Sequence, residues 1–192
     1  HLDLFGLHAH IGSQVFDVEP FAKAVAVLAE FAAPFDFPEL SVGGGLGVPY
    51  VEGESAPSIK EWAEAIFEAC SKAGVKSLVS SEPGRSIVAS AAVTLYTVGT
   101  IKEVPGHRTY VSVDGGMSDN PRPVLYGSGY ETFLPRANQA QRQKNVRLVG
   151  KHCESGDVLI KEAWVPEDLA VGDILATPVT GAYGYSMGSN YN

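Results

Sequence analysis

An α/β chain whose later part turns mostly β is the fold class the sequence predicts. Three observations carry it. Residues 1–90 alternate short apolar runs with stretches of helical period. Each apolar run there ends in a Gly-rich or polar segment. Beyond about residue 90 the helical period gives way to short β-branched and aromatic runs divided by turn residues.

The elements follow in order. Leu4-Phe5-Gly6-Leu7 is apolar, ends at His8-Ala9-His10, and predicts a first strand. From Pro20, which suits the first helical position, the residues Phe21, Val25, Leu28 and Ala32 recur at helical spacing. Leu40-Ser41-Val42 predicts a second strand, stopped by Gly43-Gly44-Gly45. Ser58 and Glu61 form an S-x-x-E capping box, with Ile59, Trp62, Ala63, Ile66 and Cys70 expected on one helical face. Gly74 is a natural stop for that helix. Residues 76–81 predict a third strand. A βαβαβ order makes the strands parallel and puts the helices outside. Ligands in such folds bind where the strands end. Those ends here are His10-Ile11-Gly12-Ser13, Gly43-Gly44-Gly45 and Glu82-Pro83-Gly84-Arg85.

In the later part, Val93-Thr94-Leu95-Tyr96-Thr97-Val98 and Thr109-Tyr110-Val111-Ser112-Val113 read as strands, the second followed by the turn Asp114-Gly115-Gly116. Arg147-Leu148-Val149-Gly150, Asp157-Val158-Leu159-Ile160 and Asp173-Ile174-Leu175-Ala176 are further short strands. Residues 135–145 are expected to form a polar loop or short surface helix, and Asn120-Pro121-Arg122-Pro123 a stiff extended segment presenting one Arg.

Composition narrows the function. The 192 residues are 45% hydrophobic and carry a formal net charge of -8, with no Lys/Arg cluster to neutralise phosphates, which argues against a nucleic-acid partner. Two cysteines, Cys70 and Cys153, make no disulfide framework, so a reducing, cytoplasmic setting is expected. The uncharged stretch 86–101 is too short and too polar to span a bilayer. His1-Leu2-Asp3-Leu4 does not open a signal peptide, and with no initiator Met the expectation is that the start lies upstream.

Several residues could carry chemistry. Gly43-Gly44-Gly45-Leu46-Gly47 after a strand lets backbone N–H groups approach an anion, or is simply a tight turn. It is neither a Walker loop nor a dinucleotide fingerprint. Glu82 and Arg85 are either a surface ion pair or a charged pair lining a ligand site, where Glu82 could keep a heterocyclic nitrogen protonated and Arg85 could fork onto an anion. His8 and His10 share one side of an extended segment but lack an obvious third metal ligand, so no metal is expected. Cys153-Glu154-Ser155-Gly156-Asp157 sets a thiol beside a carboxylate, either a positioned proton donor or a buried Cys next to a solvated Glu. Cys70 belongs to the core. Gly181-Ala182-Tyr183-Gly184-Tyr185 presents aromatic hydroxyls on a Gly-rich connection.

Taken in order, these motifs resemble the fold-type III pyridoxal-phosphate-dependent decarboxylases. The resemblance runs through His10-Ile11-Gly12-Ser13, Gly43-Gly44-Gly45-Leu46-Gly47, Glu82-Pro83-Gly84-Arg85, Asp114-Gly115-Gly116, Cys153-Glu154-Ser155-Gly156-Asp157 and Gly181-Ala182-Tyr183. Within that group, Asn120-Pro121-Arg122-Pro123 and the Cys-Glu pair are similar to the branch acting on meso-2,6-diaminopimelate. Ornithine enzymes typically carry Cys-Asp there. The resemblance implies the last three βα units of a pyridoxal-phosphate-binding (β/α)8 barrel over 1–90, and a mostly antiparallel β-domain, incomplete at its end, over 91–192. It implies a cytoplasmic homodimer with shared sites, working in lysine biosynthesis.

The resemblance also implies roles. His10 stacks on the cofactor ring. Ser13, Gly43, Gly44, Gly45, Gly84 and Arg85 hold the cofactor, the first four at its phosphate, and Glu82 pairs with the pyridine nitrogen. Arg85, Arg122 and Tyr126 bind substrate carboxylates, and Glu154 the distal ammonium. Cys153 donates a proton in the partner's site, and Tyr183 touches cofactor and substrate. One departure stands out. The family's N-terminal strand carries a Tyr-Ala-x-Lys-type motif whose lysine holds the cofactor, and no lysine here has that context. The chain by itself is therefore expected not to turn over. Rival readings are an ornithine, lysine or carboxynorspermidine decarboxylase, a non-catalytic homologue that binds a decarboxylase, and a sugar-phosphate barrel enzyme. The last leaves Cys153-Glu154 unexplained.

Overall fold

The computed structural model describes residues 1–191. The chain divides into two compact units: His1–Pro49 with Glu54–Ile87, and Tyr50–Gly53 with the chain from Val88 onward. Of residues 1–90, which the sequence reading takes as one block, 50–53 and 88–90 fall in the second unit.

In the first unit, β1 (Gly6–His8), β2 (Glu39–Ser41) and β3 (Leu78–Ser80) form a parallel sheet in that order. Between them run α1 (Glu19–Ala32) and α2 (Ile59–Lys72), and α3 (Gly84–Val88) follows β3. Each strand is three residues long: β1 starts two residues later than its apolar run and ends at His8, β2 is shifted back by one residue, and β3 is the middle of residues 76–81. Pro20 falls inside the first turn of α1, where its missing N–H breaks no helical bond.

Phe21 and Val25 of α1 interdigitate with Trp62, Ile66 and Cys70 of α2 over Val42 and Leu46, and the Phe21 and Trp62 rings meet edge to face at 5.6 Å. Burial raises the Cys70 thiol above its usual range, as suits a core thiol. The expected face of α2 needs a correction: Ile59 and Ala63 are exposed, and the helix instead turns Ala69 toward the core. Ile59 sits in the first turn, where the capping box sets the path of the chain. Among the described residues, β1 and β3 each have one strand neighbour, so both edges of this sheet are open.

The capping box forms as predicted. Ser58 Oγ accepts the Glu61 N–H at 3.1 Å, and the Glu61 carboxylate accepts the Ser58 N–H at 2.7 Å. Those bonds hold the Glu61 carboxyl below its usual range. Ser58→Ala is expected to cost about 1 kcal/mol, read as a lower urea midpoint at unchanged slope. An unmoved midpoint would show that packing alone holds α2.

The second unit is one five-stranded sheet in the order β7-β6-β5-β4-β8, where β4 is Thr94–Val104, β5 Arg108–Val113, β6 Lys144–Val149, β7 Val158–Val165 and β8 Ile174–Thr177. Its core is Val98, Val111, Val113, Val146, Leu148, Leu159, Val165 and Leu175. Strand β4 is longer than expected because its two halves serve different partners. Thr94 to Thr97 pair with β8, and Val98 to Val104 with β5, with a register shift at Gly99. Strand β7 likewise runs on to Val165. The loop expected over 135–145 is a 3-10 turn at Pro135–Ala137 and then coil, but Lys144 and Asn145 already belong to β6, opposite Val165 and Trp164.

One pairing decides where the loops of this unit gather. Strands β5 and β6 are parallel, while the other pairs are antiparallel. A parallel pair needs a long crossover, and residues 114–143 provide it. The carboxyl ends of β5 and β6 therefore lie at the same sheet edge. Strand β8 is antiparallel to β4, as β5 is, so its carboxyl end lies there too. Among the described residues, no helix is long and apolar enough to cross a membrane.

Candidate active site

In the first unit the three parallel strands deliver residues 9–13, 42–47 and 81–85 to one edge. The glycine run threads between its neighbours there. A Cβ on Gly43 would lie 2.3 Å from the Ala9 carbonyl oxygen, one on Gly44 1.9 Å from that of Glu82, and one on Gly45 2.0 Å from that of Gly12. Gly43 and Gly45 also have φ of +67° and +102°. Each glycine thus admits a different backbone. Polar bonds sew the loops together: the Glu82 N–H donates to Gly43 O at 2.7 Å, and the Gly44 N–H to His10 Nδ1 at 3.2 Å. With Nδ1 accepting, a neutral His10 carries its proton on Nε2.

This edge brings together the first-unit residues that the sequence singles out. Arg85 Nη2 donates to Ser13 Oγ at 2.9 Å, next to the Gly12–Gly45 contact. Gly84 opens α3 and donates its N–H to Glu82 O at 2.8 Å. The Glu82 carboxylate lies 3.4 Å from His8 Nε2, and the His8 and His10 rings stack at 6.5 Å with planes 19° apart. A guanidinium, a hydroxyl and a tight glycine turn make a seat for an anion. A carboxylate beside two parallel imidazoles suits a flat, cationic heterocycle.

Sequence reasoning misses Gln14. Its side chain donates to Val48 O at 3.0 Å and accepts the Val48 N–H at 2.9 Å, as a strand neighbour would, from a φ of 57°. That pair fixes the loop bearing Ser13. The signal was a long amide directly after Gly12-Ser13.

In the second unit the crossover 114–143 carries Arg122, and here the structure corrects the sequence. Asn120-Pro121-Arg122-Pro123 is not extended but opens the helical turn α4 (Arg122–Tyr126), capped by Gly127 at φ +64°. The prolines sit where a helix leaves its N–H groups unpaired anyway. Arg122 is 4% exposed. Its guanidinium donates to Tyr50 Oη at 3.3 Å and to Ser128 Oγ at 3.0 Å, and lies 4.7 Å over the Tyr50 ring and 5.9 Å from that of Tyr126. Its Nε is buried without a hydrogen-bond partner, and no acidic side chain among the described residues pairs with it. The arrangement is a buried cation with a donor to spare.

Residues 150–157 join β6 to β7 and expose Cys153 and Glu154. The anchor is Asp157, 2% exposed, whose carboxylate accepts the Met117 N–H at 2.7 Å and the His152 N–H at 2.8 Å. Gly116 and Gly150 leave room for it: a Cβ on either would come within 2.7 Å of that carboxylate. His152 Nε2 meets Ser118 Oγ at 2.8 Å. Beyond β8, the Gly181 N–H bonds Ala89 O at 2.9 Å, and a Cβ at Gly181 would strike the Val88 carbonyl. Tyr183 then sits at φ 58°, a strained value of the kind that concentrates at functional sites.

Comparison with known proteins agrees with these motifs. A family model described as pyridoxal-dependent decarboxylase, C-terminal sheet domain, matches residues 14–181. A diaminopimelate decarboxylase of Synechocystis is 46% identical over the whole of this chain and 43% of its own length. Crystal structures of diaminopimelate decarboxylase in complex with L-lysine are similar. The M. jannaschii enzyme has a TM-score of 0.88 at 35% identity, over 96% of this chain and 44% of that one. The Helicobacter pylori I148L mutant has a TM-score of 0.85 at 36% identity, over 97% and 46%. The chain spans less than half the length of each.

Proposed function

The chain belongs to the pyridoxal-dependent decarboxylase family, and on that premise we propose that the whole protein converts meso-2,6-diaminopimelate to L-lysine and CO2. The observation that carries the substrate is Arg122. A buried guanidinium with an unpartnered Nε and no acidic neighbour among the described residues is complementary to a carboxylate. The exposed Glu154 supplies the opposite charge for an ammonium group. Diaminopimelate carries both groups at the end that does not react.

The first-unit residues fit pyridoxal 5'-phosphate. When bound, it supplies an electron sink for the pair released as the carboxylate leaves. Ser13 and the run Gly43-Gly44-Gly45 would hold its phosphate, and Gly84 and Arg85 would be further contacts to the cofactor. His10, kept in plane by the Gly44 N–H, packs on the ring. Glu82 accepts from the pyridine nitrogen and keeps it protonated. Arg85 also faces a substrate carboxylate, and Tyr183 contacts both cofactor and substrate. Arg122 and Tyr126 grip the distal carboxylate, and Glu154 the distal ammonium. The Cys153 thiol returns a proton to the carbon that has lost CO2. Residues 1–90 are the last barrel units and 91–192 the β-domain. Two copies of the whole protein share their sites, with Cys153 and Glu154 offered to the partner copy. The protein works in the cytoplasm, where the exposed Cys153 thiol stays reduced.

The test is an assay on the protein expressed from the whole reading frame that encodes this chain, with pyridoxal phosphate added. Lysine and CO2 in equal amounts from meso-diaminopimelate are expected. No lysine, but release of putrescine from ornithine or decarboxylation of carboxynorspermidine, would overturn the substrate and keep the family.

A further inference from the structure

The loop bearing Cys153 and Glu154 has a firm base and a loose tip. At the base, the Gly150 N–H bonds Asp157 O at 2.9 Å and the Lys151 N–H bonds Gly115 O at 2.9 Å. At the tip, residues 153–156 are all exposed. A glutamate there has several free rotors, and ordering them opposes binding unless something else holds the side chain. Something does. Tyr191 Oη donates a hydrogen bond to Glu154 Oε1.

The segment that brings Tyr191 there is itself tied down. The Ser189 N–H donates to Ser118 O at 2.9 Å, the Tyr191 N–H reaches Ser189 Oγ at 3.4 Å, and the Gly188 N–H bonds Tyr185 O at 3.1 Å. The Tyr191 ring packs edge-on against His152, centroids 5.7 Å apart. His152 in turn meets Ser118 Oγ. Ser118 therefore fastens both partners: its carbonyl holds the segment at Ser189, and its hydroxyl holds the loop at His152. The closed circuit Ser118–Ser189–Tyr191–His152–Ser118, from which Tyr191 reaches Glu154, lies entirely in the second unit.

We infer that residues 189–191 are a strap, and that Tyr191 is a positioning residue that fixes one carboxylate oxygen of Glu154 so that the other faces the substrate's distal ammonium. The inference rests on the role proposed above for Glu154. A phenol suits the task. It donates one strong bond to a carboxylate and adds no charge, so the full negative charge of Glu154 remains for the substrate. The neighbouring carboxylate also holds the Tyr191 phenol above its usual range, with that hydrogen bond as the first cause. At neutral pH Tyr191 is therefore always a donor.

The whole-length protein with pyridoxal phosphate tests this in two ways. With tyrosine labelled at 13Cζ, the Tyr191 resonance, assigned by its loss in Tyr191→Phe, is expected to titrate above the other exposed tyrosines and to move down in Glu154→Gln. A Tyr191 resonance that titrates identically in both proteins overturns the strap, whatever the enzyme's substrate proves to be. Tyr191→Phe is expected to raise KM for meso-diaminopimelate about tenfold and to change kcat less than about threefold. In the Glu154→Gln background the same substitution should do almost nothing. Independent effects of the two substitutions, or a fall in kcat with KM unchanged, overturn the positioning role. If the native protein makes no lysine while Tyr191 still responds to Glu154, the strap stands and the substrate assignment fails.

Discussion

Arg122→Ala is expected to raise KM for meso-diaminopimelate by about two orders of magnitude, the equivalent of roughly 3 kcal/mol of lost charge-assisted contact. The cofactor absorbance should not change. The size follows from the site. The guanidinium is 4% exposed, so its partner carboxylate would be gripped in a desolvated place where charge pairs are strong. The cation is already aimed by Tyr50 and Ser128 and flanked by two aromatic rings, so little ordering remains to oppose binding. Arg122→Lys should recover only part of the loss, because one ammonium cannot reproduce the planar fork.

A buried charge without a counter-charge destabilises the free protein. Arg122→Met is therefore expected to leave the thermal midpoint level or higher while affinity for substrate collapses. A midpoint that falls sharply, with cofactor absorbance lost in step, would show that Arg122 is a structural residue and would sink the clamp.

Asp157→Ala should destabilise the protein by about 3 kcal/mol, since it removes two backbone N–H bonds to one carboxylate and leaves a buried donor at His152 and a half-buried one at Met117 without that partner. The distances are short, 2.7 Å from Met117 N and 2.8 Å from His152 N, and the side chain is 2% exposed. Gly150→Ala should match it, because its new Cβ would lie 2.2 Å from the same carboxylate. The denaturant midpoint of the whole-length protein measures both. Activity should fall further than stability, because the same two bonds set the loop that presents Cys153 and Glu154. A loss under about 1 kcal/mol with full activity would mean that the strand ends alone hold this loop.

Much of the first unit could be read from local chemistry. The period of Phe21, Val25 and Leu28, the capping box at Ser58 and Glu61, and the stop at Gly74 each depend on neighbours within one or two turns, and each appears where the sequence puts it. Strand extents were less legible. Nothing near Lys144 or Asn145 in the sequence says strand. They become one because Val165 and Trp164 lie opposite. Strand choice depends on cross-strand partners far along the chain.

The candidate residues were legible as a set because chemically loaded types stand at the ends of apolar runs: His10 and Ser13, the glycines, Glu82 and Arg85. Their arrangement was not. The sequence presents Gly43-Gly44-Gly45 as one anion-binding loop or tight turn, whereas each glycine makes room for a separate backbone, at Ala9, Glu82 and Gly12. It presents Arg122 on a stiff extended segment, whereas a helical turn buries it against Tyr50, 72 positions away. It presents Asp157 as the last letter of a motif, whereas its carboxylate ties residues 117 and 152 together.

By itself, then, the sequence determined which local elements form and which side chains have reactive groups, because helix period, capping and turn preference are set over a few residues. The tertiary structure decided how those groups meet. The parallel pairing of β5 and β6 sends the crossover with Arg122 and the loop with Cys153 from one sheet edge, and the return of β8 adds Tyr183 and Tyr191 there. Pairings of this kind depend on contacts between residues tens of positions apart, which no local pattern encodes.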